Sequence, residues 1–172
     1  MIHLKYEFTL ILDILDEEKS LLQNISNLNL ITESDIVGQI WVPIMKKALF
    51  VGGNIVRIKV GESISRYSQE EKKLQYTDKK HVKGSKIDIR FIYDHDGKEY
   101  DVGAGEVARE TADEEKILPD KSKLLRKGKD VLDGILNTVI PESDANKAIG
   151  HIVQIKGLCV QVISIYLTAT GL

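Results

Sequence analysis

The sequence predicts an α/β (α+β) chain built on a mixed central β-sheet flanked by helices. Three observations predict it. Two β-rich runs, 86–93 and 100–108, are folded together by an Asp96-Gly97 turn, the strongest short hairpin signal. An apolar stripe at helical spacing follows, through Leu124, Leu125, Val131, Leu132, Ile135, Leu136 and Val139. Two further β-rich runs, 150–156 and 159–166, come after it. A helix lying between strands in the order helix, strand, strand, strand, helix, strand, strand calls for a mixed sheet.

Taken in order, residues 3 to 25 place Leu4, Phe8, Ile11, Leu12, Leu15, Leu21, Leu22 and Ile25 at helical spacing among acidic groups, so residues 1–30 read as a helical extension. Residues 31–172 read as one domain. Thr32 or Ser34 caps a second helix with Glu33 and Asp35 in its first turn, and Pro43 is expected to kink it. Trp41, at helical spacing with Met45, reads as core. Gly52-Gly53 ends that helix, and Ile55-Val-Arg-Ile-Lys-Val60 is a strand closing at Gly61-Glu62-Ser63. Residues 65–86 carry no useful apolar period. Their cations, Arg66, Lys72, Lys73, Lys79, Lys80, Lys83 and Lys86, outnumber Glu70, Glu71 and Asp78, which marks a long basic loop. After a polar connection at 110–115, Pro119-Asp120 opens the long helix, Pro141 closes it, and Gly157-Leu158 turns between the last two strands.

A chain of 172 residues, 42% hydrophobic and 29% charged, suits a globular protein with one proper core. The formal net charge of −2 supplies no whole-molecule attraction to nucleic acid, so phosphate affinity must come from a local patch. The single cysteine, Cys159, is expected to be a buried small hydrophobe. Residues 8–12 lack the basic leader and cleavage site of an export signal, and 158–172 are too few for a membrane span. An intracellular protein, of nucleus or cytoplasm, is expected. The abrupt end at Ala169-Thr-Gly-Leu172 leaves room for a longer parent chain. His3, His81, His95 and His151 show no ligand spacing, so no zinc site is expected, and Gly52-Gly53 lacks the Lys and Ser/Thr of a phosphate loop.

Asp88 and Glu106 lie one on each arm of the hairpin, and the register decides whether they meet, because side chains alternate with a period of two. A two-residue Asp96-Gly97 loop pairs 95 with 98, sets Glu106 opposite Ile87 and separates the acids. A three-residue loop that includes Lys98 pairs Asp88 with Glu106, and Gly103 or Gly105 also offers a place for a bulge. The register that brings the acids together is the expectation.

This order of elements, with an acid on the second strand and a glutamate on the third, resembles the PD-(D/E)xK superfamily of restriction-endonuclease-like folds. More closely, Trp41-Val-Pro-Ile44, Val60-Gly-Glu-Ser63, Lys86-Ile-Asp-Ile-Arg90, Gly103-Ala-Gly-Glu106 and the run from Asp120 to Asp133 are similar to an expanded, largely uncharacterised group of fungal proteins with that fold. The resemblance runs from about residue 33 to the C-terminus and implies an αβββαβ core. It implies Mg²⁺ at Asp88 and Glu106, with Glu62 as an additional ligand, and hydrolysis of phosphodiesters in DNA or RNA. The departure is at the lysine position, where the triplet reads Glu106-Val107-Ala108 and a methyl group cannot orient water or stabilise charge. Projected on the following helix, Lys121 falls on the sheet-facing stripe while Lys123 and Arg126 point away, so Lys121 is the candidate for a migrated lysine. Lys72, Lys73, Lys79, Lys80 and Lys83, with Tyr67 and Tyr76 interleaved, are the candidates for backbone phosphate contact. The competing expectation is a catalytically inactive domain on the same scaffold. It would serve protein interaction or regulation, with the acids balanced by Lys86, Arg90 or Arg109.

Overall fold

A computed structural model describes residues 12–23, 31–51, 53–64, 69, 86–108, 114–138 and 140–167. The chain forms two compact units divided between Ile55 and Val56. In the first, helical residues 12–17 (α1) and Lys19–Gln23 (α2) precede α3 (Glu33–Ile36), a wide π-helical turn at Val37–Trp41, and α4 (Val42–Val51). Thr32 caps α3 as the sequence predicts: its Oγ1 accepts the Asp35 N–H at 3.2 Å, while Asp35 Oδ2 accepts the Thr32 N–H at 2.8 Å. Proline lacks an N–H and its ring crowds the carbonyl four residues back. The π turn directly before Pro43 gives that ring room, and helical structure continues through the proline. Past α4, Gly53 takes φ +90° and donates its N–H to the Phe50 carbonyl at 3.1 Å, closing the helix where the sequence places its end. Val37, Ile40 and Trp41 are buried.

The second unit is a five-stranded mixed sheet in the order β1-β2-β3-β4-β5, with β1 Val56–Ile64, β2 Lys86–His95, β3 Lys98–Ala108, β4 Ile149–Lys156 and β5 Cys159–Tyr166. The first three form an antiparallel meander, β4 runs parallel to β3, and β5 returns antiparallel to β4. Parallel strands need a long connection. Here it is α5 (Glu114–Thr138), followed by a 3₁₀ turn at Glu142–Lys147 that the sequence did not announce. The core between helix and sheet is built from Ile87, Ala104, Leu124, Val131, Leu132, Ile135, Ala148 and Ile152. Leu124 and Ile152 are fully enclosed, and each such side chain contributes about 1.5–3 kcal/mol. The helix rests close on β4 because two glycines meet there: a Cβ on Gly150 would stand 2.9 Å from the Gly128 carbonyl oxygen.

Four expectations need correction. The strand β1 does not close at Gly61 but continues to Ile64 through a bulge between Val60 and Ser63, where Gly61 takes φ +91°. Helix α5 begins at Glu114, ahead of Pro119, so the proline sits within the helix. Its buried stripe holds Leu124, Val131, Leu132 and Ile135 as expected but not Leu125, which is 42% exposed, and Lys127, at 1%, takes an enclosed position. Finally, Cys159 is exposed: β5 is the last strand of the sheet, and its first four residues, Cys159 to Val162, are exposed on both faces, while Ile163 and Ile165, on the same face as Cys159, are half-buried against the core.

Candidate functional site

The hairpin turns through the two-residue loop after all: His95 pairs with Lys98, with Asp96 at φ +48° and Gly97 at φ +70°. That loop alone would separate the acids. A bulge then shifts the register by one residue, since Ile92 pairs with Asp101 but Phe91 pairs with Gly103, leaving Val102 as the extra residue. The observed pairing ends at Ile89–Gly105, one residue short of Asp88 and Glu106, in the register that the expected three-residue loop would have given, with the bulge beside the Gly103-Ala-Gly105 run.

The surroundings of the two acids differ. Glu106 is 4% exposed on an interior strand between β2 and β4. Taking a carboxylate out of water is costly without a nearby cation. The Lys123 ammonium supplies that charge from α5 at 2.8 Å, with its side chain 32% exposed. Asp88 is half-buried, and its Oδ2 accepts the Val107 N–H at 3.0 Å, so the side chain occupies a position that a backbone carbonyl would fill if the ladder ran on. Glu62, in the β1 bulge, is exposed and ion-paired with Lys86 at the start of β2. The Lys86 hydrogen bond holds the Glu62 carboxyl below its ordinary pKa, and Lys123 adds a smaller electrostatic pull in the same direction. Glu62 with Lys86 and Glu106 with Lys123 are thus two separate ion pairs.

The expected direction of Lys123 is thereby corrected. Lys123, expected to point away, reaches Glu106, whereas no hydrogen bond or ion pair joins Lys121 to another described residue. With Leu125 outward and Lys127 enclosed, Lys123 stands on the flank of α5, and a lysine stem is long enough to reach the glutamate from there. The signal was available in the sequence only as Lys123-x-x-x-Lys127, two cations one turn apart. Arg90 does not balance the acids either. It is 2% exposed and turned to Asp101, with Nε donating at 2.7 Å, and to Glu99 at 3.4 Å. The same network extends to Arg57, which grips Asp94 through two bonds of 2.8 and 2.9 Å and Glu99 through one of 2.9 Å. This brace across β1, β2 and β3 went unforeseen.

Lys72, Lys73, Lys79, Lys80 and Lys83 of the basic loop, like Arg109, lie outside the described residues. Among the described residues no group of three or more His, Cys, Asp or Glu is arranged to hold a metal ion, and no helix is long and apolar enough to cross a membrane. Two carboxylates on neighbouring strands are nonetheless a donor set that Mg²⁺ accepts, because it commonly binds one or two carboxylates and completes its shell with water and substrate phosphate. Asp88 and Glu106 fit that requirement in chemical type; Glu62, held by Lys86, fits it less well. Compared with protein-family models, curated proteins and solved structures, the chain finds no match.

Proposed function

We propose that the sheet unit acts on or binds nucleic acid, with metal-dependent phosphodiester hydrolysis at Asp88 and Glu106 and with Lys123 serving where Ala108 leaves the motif without a lysine. The observation that carries this reading is the Lys123 ammonium 2.8 Å from the Glu106 carboxylate, with Asp88 on the neighbouring strand accepting the N–H of Val107, the residue after Glu106. Two acids and a lysine on adjacent elements form the minimal set for the chemistry. The order of a three-stranded meander, a crossover helix and a parallel fourth strand also supports it, being the order that the αβββαβ resemblance anticipates.

In this reading Asp88 and Glu106 offer oxygen ligands, and the Val107 N–H fixes the Asp88 carboxylate in orientation. A divalent cation, when bound, neutralises phosphate charge and lowers the pKa of an attacking water. Lys123 places a positive charge beside the same carboxylates, available to the charge that builds on the phosphoryl oxygens. The test is degradation of labelled single- and double-stranded DNA and RNA in Mg²⁺ or Mn²⁺, with Asp88→Ala and Glu106→Ala beside the wild type. Cleavage lost in both variants is the expected outcome.

One observation favours a second reading, an inactive domain kept for a protein or regulatory contact. Each acid is already engaged inside the protein: Asp88 by an amide, Glu106 by Lys123 and Glu62 by Lys86. Nucleic-acid cleavage absent from every preparation, with no metal-dependent rise in melting temperature, selects it.

A further inference from the structure

We infer that Lys123 is a resident counter-ion of the Asp88–Glu106 site, and that a divalent cation enters by displacing its ammonium from Glu106. The inference rests on the metal-site reading above. Glu106 is fixed on an interior strand and nearly closed to solvent, so it needs a positive charge whether or not a metal is present. Lys123 differs in both respects. Its side chain is 32% exposed, and its charge sits at the end of a flexible four-carbon stem, so it can withdraw without moving the helix. After displacement the Lys123 charge stays on the same flexible stem, free to meet an arriving phosphate.

The consequence is competition. Lys123 and the metal share one carboxylate, so the lysine that assists the chemistry weakens metal binding in the resting protein. Replacing it with a neutral side chain of similar length must tighten metal binding while lowering turnover, a pair of effects that a merely structural lysine does not produce.

The experiment is a calorimetric Mn²⁺ titration of the full chain, comparing wild type, Lys123→Met and Lys123→Met combined with Asp88→Asn. The expected result is that Lys123→Met binds Mn²⁺ about tenfold tighter or more, and that adding Asp88→Asn abolishes the gain. Equal or weaker binding by Lys123→Met, with measurable binding by the wild type, overturns the inference and leaves the metal site standing. Binding by no variant, with all of them folded, overturns the metal site and the inference with it. Lys123→Gln makes the same charge change with a polar head and replaces Lys123→Met if the latter fails to fold.

Discussion

Lys123 on α5 holds its ammonium 2.8 Å from the carboxylate of Glu106 on β3, joining the crossover helix to the strand it follows by an ion pair whose acid is almost fully enclosed. Removing one partner of such a pair leaves the other in a poorly solvated place. Partial exposure of Lys123 moderates the loss, and Lys123→Met is expected to cost about 1–3 kcal/mol by urea unfolding. A double-mutant cycle with Glu106→Gln should give a coupling of at least about 0.5 kcal/mol. Additive losses would mean that the pair contributes nothing.

Asp88 makes a quieter contribution. Its Oδ2 takes the Val107 N–H, and Asp88→Asn keeps an acceptor there while Asp88→Ala removes it. The alanine variant should therefore be about 1–2 kcal/mol less stable than the asparagine variant. The Val107 amide should also exchange its hydrogen faster in the alanine variant alone. Equal exchange in both would place the Val107 bond elsewhere.

The brace around Arg57 predicts a pH dependence. Hydrogen bonds from Arg57 hold the Asp94 and Glu99 carboxyls below their ordinary values of 3.8 and 4.5. A carboxyl depressed in the folded state binds its proton more readily in the unfolded chain, so its stabilisation is fully present above those ordinary values and is lost as pH falls through the lower folded ones. The unfolding free energy should fall on acidification below about pH 4.5, and Arg57→Ala should flatten that fall while also lowering stability at neutral pH. Because Arg57 and Asp94 are about half exposed, added salt should shrink the difference. An unchanged acid limb in Arg57→Ala would remove the brace from the account.

Gly128 sets how closely α5 lies on the sheet. A Cβ there would meet Ile165 Cδ1 at 2.3 Å and Ile152 Cγ2 at 2.9 Å. Alanine favours helix over glycine by about 1 kcal/mol. Overpacking costs about 1–3 kcal/mol, so Gly128→Ala should be neutral to about 2 kcal/mol destabilising by thermal unfolding. A clear gain in stability would mean that the helix stands off further than described.

The element order was legible because it depends on local signals: alternation in β2 and β3, the Asp96-Gly97 turn, the Thr32 cap, and the spacing from Leu124 to Ile135. What the sequence hid depends on partners far along the chain. The position of Val102 as the bulged residue follows from how β3 must sit between β2 and β4, and the nearby glycines showed only that a bulge was affordable. Helical spacing makes Leu124 and Leu125 equally inward and so turns Lys123 away, whereas the sheet accepts Leu124 and leaves Leu125 in solvent. Arg57, Asp94, Glu99, Arg90 and Asp101 come from three strands, so no window of sequence shows them as neighbours. The exposure of Cys159 likewise depends on β5 being the last strand, a matter of topology and not of composition.

That exposure gives a simple check. Cys159 should react with a maleimide or a disulfide reagent in the native protein at a rate within about tenfold of that in denaturant, since thiol reactivity follows access and thiolate fraction. Labelling only after unfolding would return the cysteine to the interior.

The most direct measurement is anomalous diffraction from crystals of the wild-type protein soaked in Mn²⁺. The account predicts a peak between the Asp88 and Glu106 carboxylates, at roughly 2.1–2.3 Å from an oxygen of each. Density showing Lys123 Nζ still on Glu106, with manganese bound elsewhere or nowhere, would contradict it.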